Sequence, residues 1–264
     1  MPHTKVNIVS SPVSALPFDR QIDMMINWAK QNVSRFVCVA NVHMLMEAHW
    51  HSDFRGVLEK ADLVTPDGMP LVWLLRILGF KNQDRVAGLD ILLALCKRAE
   101  QEGEKVLFVG STHAILHRIR CRLRKDFPKL KLVGTISPPF GDLSPKDDEC
   151  LAEEINQSGV TIVFVAFGCP KQERWMAQHR DRINAVMVGL GAAFSVYAGF
   201  QHRAPRWIRD CGFEWLYRLI QEPGRLWKRY GTTIPPFLWL VTKQLTQFFF
   251  AQYVSREVRY RKSL

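Results

Sequence analysis

The sequence contains no CxxC or CxxH pair, and its six cysteines are spread along 264 residues. Structural zinc sites need closely spaced ligands of this kind, so we predict none, and we predict no other metal centre or cofactor. Glycine and proline are also few, at 16 and 14 residues, whereas 47% of the residues are hydrophobic. This composition excludes disordered and collagen-like chains, and the length fits one large domain or one domain with an appendage.

Two nucleotide-binding signatures are missing as well. Neither GxGxxG nor GxxxxGKS/T occurs, which argues against a Rossmann dehydrogenase and against a P-loop site. The first residues show no charged segment followed by a long apolar run, so we predict no secretory signal and a cytoplasmic location. His43, His49 and His51 lie in an ordinary helical stretch, which favours surface or core histidines over a metal cluster.

Positive charge is concentrated at the C-terminal end. Of the net charge of +11, residues 201–264 contribute +8, from twelve Lys or Arg and four Asp or Glu. Four of the eight tryptophans lie in the same segment: Trp207, Trp215, Trp227 and Trp239. Basic residues interleaved with aromatic ones suit either an anionic membrane surface or a nucleic-acid backbone, and composition alone leaves both open.

The stretch Ile234–Val254 has Lys243 as its only charged residue, and it is long enough to be considered as a membrane span. Two prolines at its start and five polar side chains favour a helix that lies in the membrane interface. The basic residues of Arg256–Lys262 would then contact lipid phosphates. Before this stretch, residues 203–230 predict two short helices broken at Pro223 and Gly224.

Between residues 35 and 190, short apolar runs alternate with amphipathic stretches, which predicts an α/β fold with a mostly parallel, Rossmann-like sheet and flanking helices. We therefore divide the chain into a sheet domain, residues 1–202, and a basic helical appendage, residues 203–264. The strand candidates are Arg35–Asn41, Asp62–Thr65, Lys105–Gly110, Lys131–Ile136, Thr161–Phe167 and Ala185–Gly191. The helix candidates are Met69–Leu78, Leu89–Gln101, His113–Phe127, Pro145–Gln157 and Lys171–Arg180.

Ligands of such sheets bind at the carboxyl ends of the strands, so the polar turns that follow the strands are expected to line one cleft. Asp67, after a strand, is a candidate general base, although an Asp-Gly pair more commonly caps a helix or forms a turn. The turn at Gly110 and Ser111 could present amides to a phosphate, or the glycine could serve the turn alone.

Two further side chains could bind polar groups of a ligand. Arg85 could hold a diphosphate through paired hydrogen bonds, and the alternative is a surface ion pair with Asp84 or Asp90. Gln172 could donate to a sugar hydroxyl, and the alternative is an ordinary helix start after Pro170.

Together these segments resemble the WecG/TagA/CpsF family of bacterial glycosyltransferases. The resemblance covers roughly residues 35–230, in the family's order. The matching segments are VCVANVHML around Asn41, ADLVTPDGMPLVW around Asp67, RVAGLD from Arg85, KVLFVGST, FGCPKQERW, VGLGAAFSVYAG, RAPRW and GFEWLYRLIQEPGR.

The resemblance implies an inverting transferase that moves a sugar, N-acetylmannosamine or a related one, from a UDP-sugar donor to a polyprenyl-diphosphate-linked acceptor. It implies a peripheral enzyme on the cytoplasmic face of the membrane that helps to build a bacterial surface polysaccharide, and members can form homo-oligomers. Family members are generally treated as lacking a metal-binding Asp-x-Asp motif, and this sequence contains no such triplet. A UDP-glucose or UDP-glucuronate transferase of the same fold stays an alternative.

Carried over by position, the resemblance makes Asp67 the base that deprotonates the acceptor hydroxyl and places Asn41 near it. Arg85 and Gln172 would hold the donor diphosphate and sugar, with the Gly110 turn amides assisting. In the appendage, Arg218 and Arg225 fall where family arginines close over the site. The departures from the family pattern are Lys228, where an arginine can occur, and Val39, where many members have threonine.

A rival of a different class is a basic module that binds nucleic acid without catalysis. It would need base-stacking aromatics on a sheet face or a recognised motif, and neither an RNP-like nor a zinc-finger pattern occurs in the sequence. We therefore expect no nucleic-acid partner.

Overall fold

The computed structural model describes residues 3–139, 141 and 143–262, with side chains up to Val254. A small antiparallel hairpin, β1 (Lys5–Ile8) and β2 (Ser11–Ser14), precedes a six-stranded parallel sheet. The sheet has the order β4-β3-β8-β7-β5-β6. Its strands are β3 (Arg35–Ala40), β4 (Leu63–Pro66), β5 (Lys105–Gly110), β6 (Lys131–Ile136), β7 (Ile162–Ala166) and β8 (Val186–Gly189). The predicted parallel, Rossmann-like fold and its six strands are confirmed.

Helices cover both faces of the sheet. In chain order they are α1 (Phe18–Lys30), α2 (Val42–Trp50), α3 (Ser52–Lys60), α4 (Met69–Ile77), α5 (Gly88–Glu102), α6 (His113–Asp126), α7 (Pro145–Gln157), α8 (Lys171–Gln178) and α9 (Ala193–Tyr197). The first core lies under α2, α3, α4, α7, α8 and the hairpin, and the second lies under α1, α5, α6 and α9. The central strands are buried on both sides, which explains their continuous apolar runs.

Side-chain caps fix the starts of three helices. Thr112 accepts a hydrogen bond from the backbone of Ile115, Ser144 from Asp147, and Asn41 from Met44. Each cap satisfies an N–H that would otherwise have no partner in the first helical turn. The strand-to-helix turns at the carboxyl ends of β3 and β5 are therefore set by local sequence.

The hairpin β1–β2 and helix α1 have no counterpart in the sequence prediction, which starts at residue 35. The turn of the hairpin consists of Val9 and Ser10, whose φ angles are 47° and 66°. Neither is a residue type that favours the left-handed region, so the sequence carries no turn signal there.

Three helices form the C-terminal part: α10 (Arg206–Asp210), α11 (Glu214–Gln221) and α12 (Pro223–Lys262). The predicted break at Pro223 is confirmed, because α11 ends at Gln221 and Pro223 opens the next helix. The prediction of two short helices over residues 203–230 is wrong, because two helices precede the break and the helix after it is long. The stretch Ile234–Val254 is helical, as predicted, but it is part of a longer helix, since α12 runs through Pro235 and Pro236 for 40 residues. The φ angle of proline is compatible with a helix, and Thr233 and Phe237 on either side of the two prolines are buried.

The inner face of α12 lies on the sheet domain. Helix α12 packs against α2, with Phe237 in the first core and Leu240, Val241 and Leu245 against it. Gln244 donates to the Asn7 carbonyl at 2.6 Å and accepts from the Val9 N–H at 3.1 Å. Long-range contacts of this kind are invisible in the local sequence. The division of the chain at residue 202 stays a prediction.

We expect Gln244→Ala to lower the free energy of unfolding by about 1–3 kcal/mol, because the main-chain groups of Asn7 and Val9 lose a shared partner. Urea unfolding checks this value, and Gln247→Ala, at an exposed position of the same helix, is the control. Equal unfolding midpoints for the two variants would contradict the role given to Gln244.

No helix within the described residues is both long and apolar enough to cross a membrane. The predicted basic contacts of Arg256–Lys262 lie outside the residues whose side chains are described.

Candidate active site

Asp67 lies at the carboxyl end of β4, next to the end of β3. Its N–H donates to the Ala40 carbonyl at 2.9 Å, and Val86 returns to the same place by donating to the Pro66 carbonyl at 2.9 Å. The second bond brings the segment before α5 back to the strand end. The Asp67 side chain is 22% exposed, so it is shielded from solvent but still reachable.

Arg85 faces Asp67 from that returning segment. Its Nε donates to the main-chain carbonyl of Asp67 at 2.7 Å, and its Nη2 lies 3.8 Å from Asp67 Oδ1. The same Nη2 lies 2.7 Å from Glu214 Oε2 in α11. The alternative of a surface pair with Asp84 or Asp90 is wrong, because Asp84 accepts from the Phe18 N–H and Asp90 pairs with Arg203.

The environment of Asp67 changes its acidity. Burial raises the pKa of Asp67 to about 6, and the negative charges of Glu214 and Asp90 act in the same direction. The positive charges of Arg85 and Arg218 lower the pKa and so oppose this rise. A carboxylate with a pKa of about 6 is ionised at neutral pH and is a stronger base than an exposed aspartate.

Helix α11 brings a second guanidinium to this place. Arg218 Nη2 lies 3.1 Å from Glu214 Oε1, so Glu214 contacts Arg218 and Arg85 at once. Trp215 packs edge to face on Tyr230 of α12, with ring centroids 5.9 Å apart. The structure therefore joins Asp67, Arg85 and Arg218 in one cluster through Glu214.

Arg225 and Asn41 have different surroundings. Arg225 forms an ion pair with Glu222, which also accepts from Gln201, and it is not in contact with the Asp67 cluster. Asn41 follows Ala40, and Ala40 is the register partner of Pro66, so the main chain of Asn41 lies beside that of Asp67. Its Oδ1 accepts from the Met44 N–H at 3.1 Å and caps α2. The amide nitrogen of Asn41 has no acceptor among the described residues, so it is available to a ligand.

Gln172 lies beneath the ends of β7 and β8. It is 4% exposed, its Oε1 accepts from the Gly168 N–H at 3.2 Å, and its Nε2 donates to Glu173 at 2.7 Å. A Cβ on Gly189 would lie 3.0 Å from Gln172 Nε2, so the absence of a side chain there makes room for the amide. In this geometry Gln172 supports the Gly168 turn, and its contact with a sugar stays a prediction.

The sequence did not predict that Glu173 is buried. It is fully buried, burial raises its pKa to about 7, and its Oε2 has no hydrogen-bond partner in the described part of the chain. The sequence suggested an ordinary acidic residue in the first turn of a helix. Nothing local shows that this turn is covered by other elements of the fold.

The turn after β5 is tighter than the sequence suggests. Gly110 has φ 97°, and a Cβ there would lie 2.6 Å from the Ala166 carbonyl, so only glycine fits. The Ser111 N–H already donates to that carbonyl at 3.0 Å, so this amide does not point to a phosphate. The Ser111 hydroxyl and the N-terminus of α6 are the groups of this turn that could still bind one.

Two further charged residues lie near the site, and the sequence analysis assigned neither of them a role, although Arg203 opens the RAPRW segment. Arg203 binds both oxygens of Asp90 at 2.5 and 2.6 Å and links the start of the appendage to α5. Arg209 is partly buried close to this pair, and burial lowers its pKa. Among the described residues no three His, Cys, Asp or Glu side chains are placed to share a metal ion.

Comparisons with known proteins identify the family of this chain. The family described as "Glycosyl transferase WecG/TagA/CpsF family" matches residues 6–249. A protein of Bacillus spizizenii named N-acetylglucosaminyldiphosphoundecaprenol N-acetyl-beta-D-mannosaminyltransferase is 32% identical, over 89% of this chain and 91% of its own. A protein of Bacillus subtilis with the same name is 28% identical, over 83% of each chain. This chain belongs to the WecG/TagA/CpsF family of glycosyl transferases.

Proposed function

We propose that this protein transfers an N-acetylmannosamine-type sugar from a UDP-sugar to a polyprenyl-diphosphate-linked acceptor, with inversion and without a metal ion. The observation that carries the proposal is the cluster of Asp67 and Arg85 at a strand end, with Arg218 brought to it by the appendage. The names of the two Bacillus relatives support the acceptor class and the sugar. The UDP part of the donor rests on the family resemblance.

The proposed mechanism is a single displacement. Asp67 accepts the proton of the acceptor hydroxyl while that oxygen attacks the anomeric carbon of the donor. The bond from this carbon to the UDP oxygen breaks, and the electron pair leaves with UDP. Arg85 and Arg218 supply positive charge for the departing diphosphate, with Arg225 joining them when substrate is bound. Attack opposite the leaving group inverts the anomeric centre.

The test is an assay of UDP-N-acetylmannosamine, UDP-N-acetylglucosamine, UDP-glucose and UDP-glucuronate with a synthetic lipid-diphosphate-linked N-acetylglucosamine. We expect mass spectrometry to show one added N-acetylhexosamine with the first donor, and NMR coupling constants to show the inverted anomer. Addition of EDTA should leave the rate unchanged. A product formed only from UDP-glucose or UDP-glucuronate would support the alternative donor, and no product from any donor would refute the proposal.

We further propose that the appendage attaches the enzyme to the membrane surface, where the lipid-linked acceptor lies. The outer face of α12 exposes large apolar side chains, among them Trp239 at 70% and Phe250 at 68%. Trp227, Leu238 and Phe249 are exposed on the same helix. Exposed aromatics together with basic residues are typical of helices that lie in the lipid interface. The cytoplasmic face is the side on which UDP-sugars are supplied.

We expect the double variant Trp239→Ala, Phe250→Ala to bind anionic liposomes about tenfold or more weakly, because about 1.5–3 kcal/mol is gained on burial of each large apolar side chain. Sedimentation with liposomes of defined anionic lipid content measures the change. The matched control is Trp50→Ala, an exposed tryptophan outside the appendage. Equal loss of binding for the control would contradict the role of α12, and stronger retention of the wild type on RNA at matched salt would favour a nucleic-acid partner.

A further inference from the structure

Glu214, in α11 of the appendage, contacts two arginines beside Asp67. Its two carboxylate oxygens are used separately, with Oε2 2.7 Å from Arg85 and Oε1 3.1 Å from Arg218. Arg85 belongs to the sheet domain and Arg218 to α11. The Glu214 side chain is 22% exposed, so both ion pairs are partly shielded from water. Shielded, charge-assisted contacts of this kind are stronger than exposed surface pairs.

The Arg85 guanidinium is fixed from two sides. Its Nε is bound to the main-chain carbonyl of Asp67, and its Nη2 is bound to Glu214. A planar guanidinium held at two of its nitrogens has little freedom to turn. Loss of Glu214 would leave Arg85 anchored at one nitrogen only, and it would leave Arg218 without its carboxylate partner.

The start of α11 is also set by close packing. Gly212, two residues before Glu214, lies against the indole of Trp73 in α4, and a Cβ there would lie 2.5 Å from that ring. Helix α4 begins two residues after Asp67. The position of Glu214 relative to Asp67 is therefore determined by sterics as well as by charge.

We propose that Glu214 is a positioning residue of the active site, which holds the Arg85 guanidinium of the sheet domain and the Arg218 guanidinium of α11 together beside Asp67. This inference rests on the proposed function, because it takes Asp67 as the base. Glu214 has a second effect in this arrangement. Its negative charge raises the pKa of Asp67 and so opposes the two guanidiniums, which lower that pKa and would make Asp67 a weaker base.

The charged groups that face Asp67 are known from each neighbouring element. Arg85 lies in the segment before α5, Asp90 lies in α5, and Glu214 and Arg218 lie in α11. Glu214 raises the pKa of Asp67, and the two arginines lower it. Removal of the Glu214 charge alone therefore lowers the pKa of Asp67, whereas a residue that only supported the fold would not move it in a fixed direction.

The experiment compares Glu214→Gln with the wild type by two readouts. The first is the titration of the Asp67 carboxyl carbon by NMR, with the resonance assigned from Asp67→Asn, and we expect a lower pKa in Glu214→Gln. The second is kcat/KM, which we expect to fall by about tenfold to a hundredfold, the size of one lost charge-assisted contact. Circular dichroism confirms that the variant is folded.

Two more variants separate positioning from general charge. Asp210→Asn makes the same change of charge in the appendage, at an exposed site whose one ion pair within the described part of the chain is with Arg206. We expect both readouts to match the wild type. Glu214→Asp keeps the charge on a shorter side chain, so we expect a titration close to that of the wild type with a reduced kcat/KM.

An unchanged Asp67 titration in Glu214→Gln, or the same shift in Asp210→Asn, overturns the inference whatever the activity. If Glu214→Gln does not fold, Glu214→Asp takes its place. A pKa of Asp67 in Glu214→Asp as low as that of an exposed aspartate then also overturns the inference. Absence of sugar transfer by the wild type refutes the proposed function instead. The titration needs no turnover, so the two failures are distinguishable.

Discussion

Replacement of Asp67 by asparagine should lower kcat by about a hundredfold to ten-thousandfold, the usual contribution of a general base. The amide has nearly the same shape and still fills the space beside Arg85, but it cannot accept the acceptor's proton. Binding of UDP-sugar should stay close to that of the wild type, as measured by calorimetry. An unchanged turnover would remove Asp67 from the mechanism.

The same residue gives the reaction a pH dependence with a defined sign. Transfer requires the ionised carboxylate, and burial raises the pKa of Asp67 to about 6. We therefore expect kcat/KM to fall as the pH decreases through about 6, rather than near the value of 4 for an exposed aspartate. Asp53→Asn, at an exposed carboxylate paired with Arg174, is the control and should keep both the rate and the profile.

The stability of Asp67→Asn distinguishes lost chemistry from lost folding. Because the pKa of Asp67 is higher in the folded protein than in the unfolded chain, ionisation above pH 4 costs folding free energy. That cost is complete once the pH exceeds the folded pKa of about 6. The asparagine variant does not ionise, so its melting temperature at pH 7 should be no lower than that of the wild type.

Replacement of Arg85 by glutamine should lower kcat/KM by about a hundredfold to a thousandfold, as expected when one donor to a developing negative charge is removed. Arg85 is 14% exposed and contacts both Asp67 and Glu214, and Arg218, held on the other oxygen of Glu214, supplies only part of the positive charge beside Asp67. Steady-state kinetics with saturating acceptor measures the change. A variant with normal kcat/KM would show that the leaving diphosphate is held elsewhere.

The pH profile of Arg85→Gln should also move, in the opposite direction to that of Glu214→Gln. Arg85 lowers the pKa of Asp67, so its removal raises that pKa, and the acidic limb of the rate profile shifts to higher pH. Arg98→Gln is the matched control, because Arg98, in the last turns of α5, also pairs with two carboxylates, Asp23 of α1 and Glu102 of α5. Its acidic limb should coincide with that of the wild type.

Much of the fold was predictable because the central strands are buried on both faces. Runs such as Lys105–Gly110 and Ile162–Ala166 are continuous and apolar, and helices with regular periodicity follow them. The hairpin β1–β2 was missed because its four-residue strands and the turn at Val9 and Ser10 carry no pattern of their own. The hairpin is held by contacts from Gln244, which is more than 230 residues away in sequence.

The candidate site was predictable only in part, for a similar reason. Asp67 and Arg85 were found because motifs and a strand end mark them, and the structure puts them in contact. Glu214 was not singled out, although its spacing of four residues from Arg218 was visible in the sequence. The prediction that the Ser111 amide is available to a phosphate is wrong, because this N–H donates to the carbonyl of Ala166 on a neighbouring strand.

The sequence by itself determined the parallel sheet, the positions of its turns and the basic, aromatic character of the C-terminal helices, because these depend on residues that are close along the chain. Only the tertiary structure decided which charges meet. Arg85, Glu214 and Arg218 come together because the Val86 N–H returns to β4 and Gly212 allows α11 to lie on Trp73. The pKa of Asp67 follows from that assembly, since burial and neighbouring charge exist only once distant segments have packed.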